Sequence, residues 1–220
     1  MKLLILSDTH GYQPIIRKIF EKIRSVSIDA LVVPGDLTDF GSLQLAEKML
    51  KELNLLGVPI LFVPGNCDPI GLVKLENANS AINIHGRCKK VNNSIFIGVG
   101  GSTQTPFNTP FELSETDIGK TLCHAYDCMD KKDRFILVAH TPPVNTAVDI
   151  TMLGEHVGSK TLRDFIEEKK PVAVFCGHIH EARGICWLGE SLIVNPGPAH
   201  GGLYSIVEIN GNAIAEMHSL

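Results

Sequence analysis

Apolar positions fall into short unbroken runs and longer stretches with a helical repeat, and the two alternate along the first third of the chain. Strands are expected at about 2–7, 29–34 and 58–63, each followed by loop residues and then a helical pattern. In the first helical stretch Ile15, Ile16, Ile19, Phe20 and Ile23 recur at steps of three and four, with Pro14 suited to the first turn. The second repeats this through Leu45, Ala46, Met49, Leu50 and Leu53, with Ser42 as N-cap and Gly57 as the stop. Strands separated by helices in this way pair in parallel.

The middle of the chain predicts a hairpin-like region to Gly100, a Pro/Thr-rich loop from Gly101 to Leu113 and a short helix from Ser114. Strands follow at about 135–139 and 172–176, separated by a loop over 141–158 and a helix near 160–169 that stops before Pro171. Beyond residue 183, segments near 183–188, 191–195, 203–208 and 213–217 are joined by turn signals such as Gly189-Glu190 and Asn210-Gly211, which predicts an antiparallel meander. The fold class that accounts for both halves is α/β, with two packed mixed sheets and outer helices. No linker or low-complexity stretch divides the chain, so one domain over 1–220 is expected.

Composition removes several classes. Of 220 residues, 44% are hydrophobic and 20% charged, and the net charge is −4, which excludes a disordered or collagen-like chain. The apolar runs are too short for a membrane span, and the one after Met1 ends at Ser7-Asp8, too soon for a signal peptide; a cytoplasmic protein without membrane association is expected. The six cysteines are scattered with no Cys-x-x-Cys pair, so free thiols are expected. Without a Lys/Arg cluster, tight binding to duplex nucleic acid is not expected, whereas a small anionic substrate fits; homo-oligomerisation is left open.

Ligand-type side chains collect just after the expected strands: Asp8 and His10, Asp36, Asn66, His140, then His178 and His180. Ligands of open α/β sheets bind at the carboxyl ends of strands. In an extended segment the spacing of Asp8-Thr9-His10 and of His178-Ile179-His180 points both side chains to one side. Imidazole, carboxylate and amide oxygen together suit two divalent ions, Mn first and Fe, Zn, Ni or Co as well. Taken singly, Asp8, Asp36 and Asn66 are ordinary helix-capping turn residues. His85, His124, His156, His200 and His218 default to surface or capping positions, though His156 and His200 lie on loops expected to face the same crevice.

Asp8-x-His10, Gly35-Asp36, Gly65-Asn66-Cys67-Asp68, His140 in Ala-His-Thr-Pro-Pro, and Gly177-His178-Ile179-His180 resemble, in order, the motif set of the calcineurin-like metallophosphoesterases. The stretch from His140 through Gly154-Glu155-His156-Val157-Gly158-Ser159 is most similar to small bacterial and archaeal phosphoesterases related to the cyclic-nucleotide phosphodiesterase group. The resemblance implies a four-layer α/β/β/α sandwich and two metals, one held by Asp8, His10 and His180, the other by Asn66, His140 and His178, with Asp36 bridging. It also implies hydrolysis of a small or nucleotide-like phosphoester by a metal-bridging hydroxide, without a covalent enzyme intermediate.

One departure bears on substrate. The family commonly has His where this chain has Cys67, and that His is thought to assist the leaving group; Cys67, Asp68, His156 or His200 would have to substitute. Cys-bearing members resemble phosphodiesterases more than broad monoesterases, so a diester is expected, with a monoesterase as the alternative. A protein phosphatase is disfavoured, because Phe40-Gly41 and Pro64 stand where that group carries arginines able to clamp a phosphoryl group. A non-catalytic scaffold, as in the retromer subunit that keeps this fold, is the alternative from another class. Phe107 and Phe111 are read as a packed hinge or an apolar lip over the site.

Overall fold

The computed structural model describes residues 1–220. In chain order the elements are β1 (Lys2–Ile5), α1 (Gln13–Lys22), β2 (Ala30–Val33), α2 (Leu43–Leu53), β3 (Ile60–Phe62), β4 (Asn77–Ala78), β5 (Ala81–Asn83), β6 (Cys88–Val91), β7 (Ser94–Val99), α3 (Glu115–Asp127), β8 (Phe135–Ala139), α4 (Lys160–Lys169), β9 (Ala173–Phe175), β10 (Gly184–Leu188), β11 (Ser191–Asn195), β12 (Leu203–Asn210) and β13 (Asn212–Ser219). They build a seven-stranded sheet in the order β13-β12-β1-β2-β3-β5-β4 and a six-stranded sheet in the order β10-β11-β9-β8-β7-β6.

Side-chain alternation explains why the two sheets stack. In β1, Leu4 joins the apolar cluster under α1 and α2, while Leu3 and Ile5 face the other sheet. In β8, Ile136 and Val138 face inward, and Phe135, Leu137 and Ala139 pack under α3 and α4. Strands covered on both faces need apolar residues at every position, which is why they read as unbroken runs. Three apolar layers thus separate four layers of structure, α1/α2, first sheet, second sheet and α3/α4, as the expected sandwich requires.

Three of the four α-helices begin where the sequence provides a cap. Ser42, Ser114 and Ser159 each accept a backbone N–H through the side chain, at α2, α3 and α4. Two expectations change. The third strand is followed by a 3₁₀ segment, Ile70–Lys74, rather than a helix. The last four strands are not one meander: β10 and β11 pair in the second sheet, β12 and β13 in the first. The segment between β11 and β12 crosses from one sheet to the other, because β11 pairs in parallel with β9 while β12 pairs antiparallel with β1.

Candidate metal centre

The parallel strands β1, β2 and β3 of one sheet and β8 and β9 of the other end at a shared crevice, and the chain leaves each through a short loop bearing a chemistry-capable side chain. The loops are stitched together: Asp8 N–H donates to Gly35 O at 3.1 Å, His10 N–H to Asp36 O at 3.1 Å, and Gly177 N–H to His140 O at 3.0 Å. The two sheets meet where His178 N–H donates to Asp8 Oδ1 at 3.2 Å.

The backbone here departs from the extended conformation anticipated for the paired motifs. Asp8, His10, Asp36 and His178 have φ of 56°, 45°, 50° and 67°, and His180 opens a 3₁₀ turn, His180–Ala182. Asp and His tolerate the left-handed region better than most residues, yet each such position costs roughly 1 kcal/mol or more. Left-handed turns, not strand alternation, aim these side chains inward. Glycine is required beside them: a Cβ on Gly65 would overlap the Asp36 carboxylate, and one on Gly177 would overlap Ser7 Oγ and the Asp8 carboxylate.

Potential ligand atoms converge in three overlapping groups, Asp8 with His10 and His180, Asp8 with Asp36 and His140, and His10 with Asp36 and Cys67, all within 4.8 Å inside each group. His180 Nε2 lies 3.4 Å from Asp8 Oδ1 and 3.3 Å from His10 Nε2. Asp36 Oδ2 stands 3.5 Å from His140 Nε2 and 3.9 Å from His10 Nε2, between the two sides. Asn66 Oδ1 is 2.8 Å from His140 Nε2. His178 is outside these groups, its ring centroid 5.1 Å from that of His140.

The donor set fits divalent cations. Asp8 Oδ2 is buried with no hydrogen-bond partner, which is costly for a carboxylate oxygen unless a cation faces it. His140 Nδ1 lies 2.7 Å from Pro34 O; donating there, a neutral His140 presents its Nε2 lone pair to the same point as the oxygens of Asn66 and Asp36. Charge states divide: the hydrogen bond to Asp8 raises His180, and Asp36 raises His140 against burial, so a cation would displace protons there, whereas the other ligands are already in the binding form. Burial opposes ionisation of Asp8, but its hydrogen bond to His180 and the nearby His140 hold it below the usual carboxylate range. Asp36 is held low against burial mainly by His140. Burial pushes His178 down to about 4 and lowers His10, leaving neutral imidazoles.

The remaining candidates divide. His200 is brought in: its ring centroid is 5.2 Å from that of His10 and 5.5 Å from that of His180, and its Nδ1 is 3.0 Å from Asp8 O. His156 is instead tied through Nδ1 to the fully buried Asp149, 2.7 Å away. Asp68 is fully buried, and its carboxylate accepts from Leu37 N, Thr38 N, Thr38 Oγ1 and Gly65 N at 2.8–3.1 Å. Those four donors make it a brace between the two ligand-bearing loops, while burial and then the Asp36 charge raise its carboxyl to about 7 against them. Cys67 donates its N–H to Asp36 Oδ1 at 2.9 Å, while burial and then the Asp36 charge push its thiol above the ordinary range. Phe111 is buried against His85 and Phe107 is exposed, so the hinge reading holds for Phe111. Pro34 O, which orients His140, had no sequence signal.

Two stacked mixed sheets between helices, with carboxylate, imidazole and amide ligands at the strand ends, define a metallophosphoesterase fold. The chain belongs to the calcineurin-like phosphoesterase family, whose sequence model matches residues 1–182. It is similar to an uncharacterised protein of Methanocaldococcus jannaschii, MJ1162, 39% identical over 90% of this chain and 88% of that protein. It is also similar to a probable cyclic nucleotide phosphodiesterase of Vesicomyosocius okutanii, 26% identical over 84% of this chain and 76% of that protein. Among solved structures, TT1561 of Thermus thermophilus shares the fold with a TM-score of 0.81 at 21% identity, covering 99% of this chain and 98% of the other. No helix is long and apolar enough to cross a membrane.

Proposed function

We propose that this chain is a dinuclear metal-dependent phosphodiesterase acting on a small or nucleotide-like substrate. The observation that carries the reading is the buried Asp8 carboxylate, whose Oδ1 faces His180 Nε2 while His180 Nε2 faces His10 Nε2, with Asp36 Oδ2 between that set and His140. Asp8, His10 and His180 would hold one cation, Asn66, His140 and His178 the other, and Asp36 both, with Mn favoured. Such a pair supplies Lewis acidity toward phosphoryl oxygens and a water activated at neutral pH.

The protein's own residues fix the geometry. Pro34 O sets the His140 ring, the Cys67 N–H holds Asp36 Oδ1, and Asp68 ties residues 37–38 to Gly65. His200, anchored through Nδ1 to Asp8 O, keeps Nε2 for a phosphoryl oxygen or leaving group. With a protonated thiol at Cys67 in place of an imidazole, leaving-group protonation is weak, which favours diesters with acidic leaving groups. The similarity to a probable cyclic nucleotide phosphodiesterase supports the same preference.

Hydrolysis of bis-(p-nitrophenyl) phosphate, assayed with and without Mn²⁺, tests the proposal. Activity is expected to require the metal, and Asp36→Asn to reduce it at least ~100-fold, at or beyond the upper end of the ~10–100-fold typical of an outer-shell partner. Metal-independent turnover that survives the substitution, or no turnover, points instead to a scaffold.

A further inference from the structure

Phe40 is in an unusual state for an aromatic residue. Its φ is 52°, in the left-handed region, where a bulky side chain is a genuine outlier. The residue is 59% exposed and belongs to none of the three apolar clusters, so packing does not offset the strain. Its place is fixed, because its N–H donates to Cys67 O at 3.2 Å, one residue from Asn66, and it lies four residues beyond Asp36. The neighbouring loop presents Tyr12, 51% exposed, two residues beyond His10.

The two loops run together. Gly11 N–H donates to Leu37 O at 2.9 Å, Thr9 Oγ1 donates to the same oxygen at 3.0 Å, and methyl groups placed on Gly11 and Gly41 would meet Leu45 Cδ2 at 3.8 Å and 2.8 Å. Two solvent-facing aromatic side chains therefore stand on adjoining loops that also carry His10 and Asp36. Strain held at such a place points to function, since a relaxed, buried Phe40 would be favoured by stability alone.

We infer that Phe40, with Tyr12 on the adjoining loop, forms an aromatic platform that stacks a planar group, above all a nucleobase, of a phosphoester whose phosphate sits at the metal centre. The inference rests on the phosphodiesterase reading and adds the substrate class. Stacking accepts any base, because each has a π-face, so the platform sets a preference for a nucleoside ester over an alkyl ester without reading sequence.

The test holds the leaving group constant. The p-nitrophenyl esters of thymidine 5′-phosphate and of ethyl phosphate are compared in wild type, Phe40→Ala and Phe40→Trp. The ratio of kcat/KM for the thymidine ester to that for the ethyl ester is expected to fall about fivefold to tenfold in Phe40→Ala, carried by KM, and to recover in Phe40→Trp. In equilibrium dialysis, Phe40→Ala is expected to narrow the affinity gap between adenosine 5′-monophosphate and ribose 5-phosphate by a similar factor. A ratio unchanged in Phe40→Ala overturns the platform while leaving the phosphodiesterase reading intact. If wild type hydrolyses neither ester, that reading fails, and equal wild-type affinity for the two monophosphates then overturns the platform as well.

Discussion

At the scale of single residues, the site is built from side chains in costly states that only their neighbours make tolerable. Asp8, His10, Asp36 and His178 occupy left-handed backbone, and glycines at 65 and 177 vacate the space beside two of the carboxylates. Cys67 illustrates how a backbone role and a side-chain role separate: its N–H positions Asp36, while its half-buried thiol is pushed up by burial and by the Asp36 charge. Cys67→His is expected to raise turnover of an alkyl phosphate monoester relative to bis-(p-nitrophenyl) phosphate, by up to ~100-fold if the imidazole supplies general-acid help. Steady-state assays of both substrates check it, and an unchanged ratio removes Cys67 as the source of diester preference. The identities of these residues were legible in the motifs; their left-handed turns were not, because Asp-x-His suits an extended segment equally well.

At the scale of elements, capping connects the outer helices to each other. Glu115, in the first turn of α3, accepts from Ser159 Oγ and from the backbone N–H groups of Lys160 and Thr161, so it closes the start of α4. Burial opposes its ionisation, but these donors hold its carboxyl below the ordinary range. Glu115→Ala is expected to lower stability by about 1–2 kcal/mol through lost caps, read as a lower urea midpoint with unchanged slope. Ser42, Ser114 and Ser159 stand at helix starts, a local signal that sequence carries directly for Ser42 and Ser114. The turns at Gly189-Glu190 and Asn210-Gly211 also gave the two C-terminal hairpins, but not their assignment to different sheets, because a turn specifies its own pair and no further partner.

At the scale of the whole molecule, metal binding and stability are coupled through groups drawn from both sheets. Burial alone would lower the pKa of His140, yet Asp36 and, to a lesser degree, Asp8 and Pro34 O raise it to about 9 from 6.5. A histidine raised on folding stabilises fully below its unfolded value and loses that contribution as pH climbs through the folded value. The chelated protein is therefore expected to lose melting temperature from about pH 6.5 to 9. A cation needs His140 neutral, so affinity for Mn²⁺ should rise over the same interval, and the Tm gain on adding metal should widen with it. Thermal scans with EDTA or Mn²⁺ across that range check both signs; a Tm gain that shrinks toward pH 9 would remove His140 from the set.

Sequence by itself determined the strand and helix alternation, the two-faced burial of the central strands and the types of side chain available for chemistry, since each follows from local periodicity and residue identity. Tertiary structure decided the rest. Residues 8, 36, 66, 140 and 178 are brought together because two sheets stack with their parallel strands ending at one crevice, and that stacking depends on apolar layers formed between segments far apart in the chain. It also placed His156 on Asp149, made Asp68 a brace and left Phe40 exposed, outcomes set by which loops come to lie side by side.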